Sequence, residues 1–206
     1  LLFSLLGMFS CKLSQKIPNG QKVYLGPSFN IVKNDSTKSE DLIELNEYLA
    51  TVTRPSPNTV SPLTAFPYKV NFYYILKQGK HKKGLGKWLD EKLSEKPVFF
   101  NDFLLKKNEK ILNEALINRG YFNNIVKGEI NETGYKTKAK FDIILNKRTQ
   151  IDSVIIVPGT DIFSSEFENI AKKQNFGQFF DLDKLKQNRL NIDTEMRQKG
   201  YFNFKP

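Results

Sequence analysis

Apolar residues recur along this chain at two different spacings. Leu105, Ile111, Leu112, Ala115 and Leu116 share one helical stripe, as do Leu182, Leu185, Ile192 and Met196, which predicts amphipathic helices over 101–119 and 182–199. Between them, Phe122, Val126 and Ile130, and then Ala139, Phe141, Ile143 and Leu145, alternate with polar side chains. That is the period of half-buried strands, here 121–131 and 137–146, joined around Asn131-Glu132-Thr133-Gly134. Upstream, 21–32 reads as a strand and 39–50 as a helix; downstream, 149–159 reads as a strand and 164–174 as a helix. The resulting order is strand, helix, helix, strand, strand, begun a second time from Thr149.

The order repeats because the sequence does. Phe99-Phe100-Asn101 returns as Phe179-Phe180-Asp181, and Gly120-Tyr121-Phe122-Asn123 returns as Gly200-Tyr201-Phe202-Asn203, both at an offset of 80. Leu105, Lys106 and Asn108 align without a gap to Leu185, Lys186 and Asn188, giving 9 identities over the 25 positions from 99 to 123. Asn101 or Asp102, and Asp181 or Asp183, can accept from the free N–H groups of a first helical turn. Arg119-Gly120 and Lys199-Gly200 place a cation and then a residue free to take positive φ at the helix end. Each Gly-Tyr-Phe-Asn is therefore a helix stop running into a strand.

Residues 51–100 interrupt the first copy. They open with the proline-rich Thr53-Arg54-Pro55-Ser56-Pro57-Asn58 and continue through the aromatic run 66–74. Lys77, Lys80, His81, Lys82, Lys83 and Lys87 then meet no acid before Asp90. Trp88 and Leu89 are expected to cover core.

Composition narrows the chemistry. The chain of 206 residues has 32 Lys+Arg, 22 Asp+Glu, one Cys and one His, with a formal charge of +10. One cysteine excludes an internal disulfide framework, and with His81 the only imidazole there is no Cys/His set for structural zinc. There is no phosphate-binding glycine loop and no nucleophile elbow, so the chain is expected to be neither an enzyme nor a holder of cofactors or metal. The basic, aromatic insertion keeps one alternative open: a module holding nucleic acid or anionic lipid.

Leu1 to Ser10 is an apolar run that breaks at Cys11-Lys12, the form of a signal-peptide remnant ending at a lipidation cysteine. A truncated ordinary signal, or a core strand with a buried free thiol at Cys11, are the other readings of these residues. Tyr201 to Pro206 has strand composition without a partner, so the chain is expected to be an N-terminal piece of a longer protein.

Tandem strand-helix-helix-strand-strand units ending in Gly-Tyr-Phe-Asn resemble polypeptide-transport-associated (POTRA) domains. The stretches 17–25, Tyr73-Tyr74, 84–89 and 96–99 resemble BamA/TamA-like outer-membrane assembly proteins, in particular the lipoprotein-type relative of the translocation and assembly module. Ser94 departs from the family's glycine, and Met8-Phe9-Ser10 is an irregular lipobox.

The resemblance implies an α+β fold of tandem POTRA-like units: 1–11 a signal remnant, 12–148 a first unit with the insertion, and 149–206 a second unit incomplete at its C-terminal end. It implies a periplasmic scaffold on the cell outer membrane. Its partners would be unfolded outer-membrane polypeptides or periplasmic accessory proteins, together with the protein's own C-terminal β-barrel. Binding would proceed by β-strand addition. Because the last strand of such a unit lies inside the sheet, the candidate edge is the preceding one: Tyr121, Phe122, Asn123, Asn124, Ile125, Val126, Lys127, Gly128, Glu129 and Ile130. Covering of that edge by the neighbouring unit or the insertion is the competing arrangement.

Overall fold

A computed structural model of the chain describes residues 13–33, 39–76, 83–157 and 163–205. In chain order these form strand β1 (Val23–Lys33), helices α1 (Ser39–Val52), α2 (Tyr68–Ile75), α3 (Gly84–Leu93) and α4 (Asp102–Asn118), strands β2 (Ile125–Thr133) and β3 (Lys136–Leu145), and helices α5 (Ser164–Lys172) and α6 (Leu182–Gln198). The class is α+β. Contacts divide the described residues into two compact units: one takes in those up to Val32 with those of Ser39–Leu112 and Ile125–Ile144, the other Asn113–Asn124 and those from Leu145 onward.

The first unit is built on a three-stranded sheet in the order β1-β3-β2. β2 and β3 pair antiparallel from Ile125↔Ile144 to Thr133↔Lys136. The turn is Gly134-Tyr135, with Gly134 at φ +57°, so both strands run further than the 131–134 turn expected from the sequence. Only glycine takes that φ freely, and it pulls the reversal to itself. Along β3, Thr137, Ala139, Phe141, Ile143 and Leu145 are buried in strict alternation. Leu45 and Leu49 of α1, and Leu105 and Leu112 of α4, are buried as well.

The insertion belongs to this unit's core. Phe66, Val70 and Tyr74 pack with Leu13, Ile17, Val23 and Phe99. Buried Asn58 ties the insertion to the sheet: its backbone N–H donates to Tyr24 O (3.0 Å), its amide donates to Lys96 O (2.8 Å), and its Oδ1 accepts from Val98 N–H (2.7 Å). Tyr24 N–H donates in turn to Val98 O (2.8 Å), and Val23 bridges Phe99. Tyr24 is buried and stacked on Phe100 at 4.5 Å, and loss of water pushes its phenol pKa upward. One expectation fails here: Trp88 does not cover core and is 55% exposed, because α3 puts another face toward α2.

In the second unit α5 packs on α6, burying Ile170, Ala171, Ile192 and Met196, with Phe163, Phe167, Tyr201 and Phe204 around them. The strand expected over 149–159 does not form over its described residues, 149–157. Residues 151–157 are irregular, Ile155 and Val157 are exposed, and the extended pairing is the bridge Gln150↔Phe179. β1 is a strand because β3 lies beside it. Among the described residues no strand lies beside 151–157, and an apolar run without a partner ladder gains nothing by extending.

The helix caps of the repeat recur in both copies. Asn101 Oδ1 accepts from Leu104 N–H (3.0 Å), and Asp181 Oδ1 accepts from Lys184 N–H (3.1 Å). At the other end Tyr121 N–H donates to Leu116 O (2.9 Å) and Tyr201 N–H to Met196 O (3.1 Å), with Gly120 at φ +88° and Gly200 at φ +96°. The shared Asn has the same task in both copies. Asn108 is buried, accepts from Arg54 N–H (2.8 Å) and donates to Arg54 O (2.5 Å), clipping the chain just beyond α1. Buried Asn188 donates to Asn175 O (3.0 Å), just beyond α5.

Asn108→Ala leaves both polar groups of Arg54 without this partner, so it should destabilise the chain by about 1–3 kcal/mol. Denaturant titration of the full chain checks this as a lower midpoint at unchanged slope. A midpoint matching wild type would mean the clip contributes nothing.

Candidate functional site

The expected edge strand begins later than its sequence pattern. Tyr121, Phe122, Asn123 and Asn124 are not strand, and β2 starts at Ile125. The helix stop consumes them. After Gly120 turns the chain, Tyr121 is buried with Arg148 over its ring (5.8 Å), and the Phe122 ring lies 5.2 Å from that of Phe180. Asn124 donates to Tyr121 O (2.6 Å), and Asn123 O accepts from Asn146. These four residues take no part in the ladder with β3, which begins at Ile125.

Ile125, Val126, Lys127, Gly128, Glu129 and Ile130 do lie in β2, which is hydrogen-bonded to β3 on one side and, among the described residues, ends the sheet on the other. Burial alternates, with Val126, Gly128 and Ile130 half-buried and Ile125, Lys127 and Glu129 exposed. Gly128 N–H shows which groups face the edge: it donates not to β3 but to Glu109 Oε1 of α4 at 2.7 Å. Since N–H directions alternate along a strand, those of Val126 and Ile130 point the same way. An added strand would meet these three positions.

Glu109 reaches the edge because α4 lies tightly over Gly128. A Cβ there would stand 2.8 Å from Leu105 Cδ1 and 3.0 Å from Phe141 Cε1, and Glu109 follows Leu105 by four residues on the same helix face. Lys106 Nζ holds both carboxylate oxygens, at 3.0 and 2.8 Å. Burial alone would raise the Glu109 pKa; the hydrogen bonds from Lys106 and Gly128 and the lysine's charge outweigh it and hold the carboxyl below its ordinary value. Periodicity cannot find Glu109, which reads as one more polar position on α4. Gly128 inside an alternating run is the signal that could have found the close approach.

The solvent face of the sheet is charged. Lys140 bridges Glu129 (3.1 Å) and Asp142 (3.3 Å), and Asn30 of β1 donates to Asp142 (2.8 Å).

In the second unit, a groove of about 430 Å³ is lined by Phe163, Phe167, Phe176, Ile192 and Phe204, with Arg189 and Lys205 among its walls. No described part of it pairs a nucleophile with a base. Among the described residues no cluster of three His, Cys, Asp or Glu could hold a metal ion, and no helix is long and apolar enough to cross a membrane. Cys11 and most of the basic run, Lys77, Lys80, His81 and Lys82, lie outside the described residues. Lys83 and Lys87 are exposed.

No family model and no curated protein matches the chain. Among solved structures it is similar to POTRA domains of BamA and Omp85. It matches POTRA3-5 of BamA from Haemophilus influenzae at 14% identity and a TM-score of 0.39, covering 90% of this chain and 59% of that one. It matches POTRA1-2 of the periplasmic domain of Omp85 from Anabaena at 11% identity and a TM-score of 0.34, over 88% of this chain and 81% of that one. The longer POTRA1-3 structure of the same Anabaena protein also gives 11% and 0.34, and the chain spans 53% of it.

The Glu109 geometry sets a pH dependence. A carboxyl depressed in the folded chain adds stability that is complete above its unfolded pKa, about 4.3, and is lost as pH falls through the lower folded value. The stability gap between wild type and Glu109→Gln should therefore be flat above about pH 5 and close on acidification below about pH 4. Urea titrations across that range measure it; a gap unchanged down to pH 2 would show that the ionised carboxylate is not what holds Gly128.

Proposed function

We infer that the chain is the periplasmic POTRA region of an outer-membrane β-barrel assembly or translocation protein, binding client polypeptides or accessory proteins by strand addition. One observation carries this reading. The sheet order β1-β3-β2 leaves β2 as an edge whose Val126, Gly128 and Ile130 N–H groups face away from the ladder. Backbone groups recognise any extended chain, which suits a scaffold that must accept many sequences. The tandem repeat supports the reading, because serial copies of one compact unit extend a scaffold without adding chemistry. In this reading Cys11 carries the lipid that holds the region at the outer membrane, and a C-terminal barrel completes the protein.

Proline at an outward-facing position removes a donor from the edge while sparing the bonds to β3. Ile130→Pro should therefore weaken binding of a capped ten-residue peptide of alternating Thr and Val by about tenfold, the size of one or two lost hydrogen bonds. Fluorescence anisotropy reads the affinity, and circular dichroism confirms that the variant is folded. Raising salt from 50 to 200 mM should change wild-type affinity little. Losses approaching the roughly thousandfold typical of phosphate-neutralising proteins, with oligonucleotide competing for the site, would favour a nucleic-acid module instead.

A further inference from the structure

The β2 edge is not uniformly open. Its central donor, Gly128 N–H, already has an acceptor, and that acceptor comes from a helix rather than a strand. A carboxylate oxygen 2.7 Å from a backbone N–H that faces off the sheet stands where the carbonyl of a fourth strand would stand. Three features hold it there. Gly128 has no side chain to keep α4 away, Leu105 fills the space over its Cα, and Lys106 grips both oxygens of Glu109 from the solvent side. Lys106 is exposed while the Glu109 side chain is only 16% exposed, so the lysine can follow the carboxylate if it swings outward. Among the described residues no side-chain acceptor is placed on the N–H groups of Val126 and Ile130 in this way.

We propose that Glu109 is an internal stand-in for the bound strand, one that sets where an extended polypeptide can pair with β2 and that must be displaced for the ladder to close. This rests on the strand-addition reading of β2 and deepens it. A client first meets the outward N–H groups of Val126 or Ile130. It zips across Gly128 only when its own carbonyl replaces Oε1, leaving Glu109 to Lys106 and water. The exchange is acceptor for acceptor, so a client of two or three residues gains little, while one long enough to bond on both sides of Gly128 gains the whole edge. Such a device also protects an unoccupied edge: the middle of the strand is closed to casual pairing with another sheet, a recognised hazard of exposed edges.

The test uses the full chain and two readouts. By amide hydrogen exchange, Gly128 should be protected relative to Val126 and Ile130 in wild type, and Glu109→Ala should remove that protection while leaving the inward-facing amides of Lys127 and Glu129 unchanged. Exchange at Gly128 as fast as at its edge neighbours in wild type would overturn the proposal without any client. In the second readout, Glu109→Ala should tighten the alternating Thr-Val peptide about two- to tenfold, the range of one net hydrogen bond. Lys106→Ala, which leaves the edge itself intact, should tighten it less, and it serves as the second variant if Glu109→Ala does not fold. Peptide binding that is weakened about tenfold by Ile130→Pro but unaffected by Glu109→Ala and Lys106→Ala would sink the stand-in role and leave strand addition standing. Binding insensitive to Ile130→Pro would remove strand addition itself.

Discussion

The contact of Leu105 with the bare backbone of Gly128 sets the geometry on which the rest of the first unit depends. A helix seated over a strand at the edge of a sheet normally keeps a side-chain layer between the two backbones. Here the layer is missing on one side, and any Cβ at Gly128 would overlap Leu105 and Phe141. The close approach brings the next turn of α4 within hydrogen-bond reach of the strand, so a residue of the helix can satisfy a group of the sheet. Packing thereby decides the electrostatics: the Glu109 carboxylate is drawn out of water, and its ionised form is kept by a backbone donor and a lysine.

The two edges of this sheet are treated differently, and the difference follows from what the chain has nearby. The start of β1 is covered by residues 96–99, held in place by Asn58, so the insertion serves as an extra layer for that side. β2 has no such cover among the described residues and carries a single carboxylate at its midpoint. Covering an edge with backbone closes it for as long as the unit is folded. Covering it with one side chain closes it conditionally, since a rotamer change costs far less than unpairing a strand.

Both copies of the repeat keep the same connection between their helices. The Asn at position 108 or 188 holds the chain just after the preceding helix, and the Gly-Tyr pair ends the long helix with the same donor and acceptor. Such buried polar clips specify one arrangement, because a slipped helix would strand their hydrogen-bonding groups in an apolar interior. The copies diverge beyond the clip. In the first, the chain after Gly-Tyr-Phe-Asn enters a hairpin. In the second, the described residues end as Tyr201 and Phe204 join the helix pair.

Local order was open to reading from residues a few positions apart. The α4 and α6 stripes, the alternation in β3, the glycine stops and the eighty-residue offset all depend on spacing alone, and the structure places each element within a few residues of its pattern. The errors have a common cause. Tyr121 to Asn124 carry strand-like side chains but are spent on the helix stop. Residues 151–157 are as apolar as β1 but, among the described residues, have no strand beside them. Trp88 is bulky enough for a core and faces water. In each case the outcome turns on what lies beside the segment in space: Arg148 for Tyr121, no described strand for 151–157, the facing helix for Trp88. The same holds for the site. Chain order and resemblance pointed to β2. Which of its N–H groups face outward, and that Glu109 already sits on one of them, became visible only when α4 was laid across Gly128, because hydrogen-bond direction belongs to a pair of surfaces and periodicity to one segment.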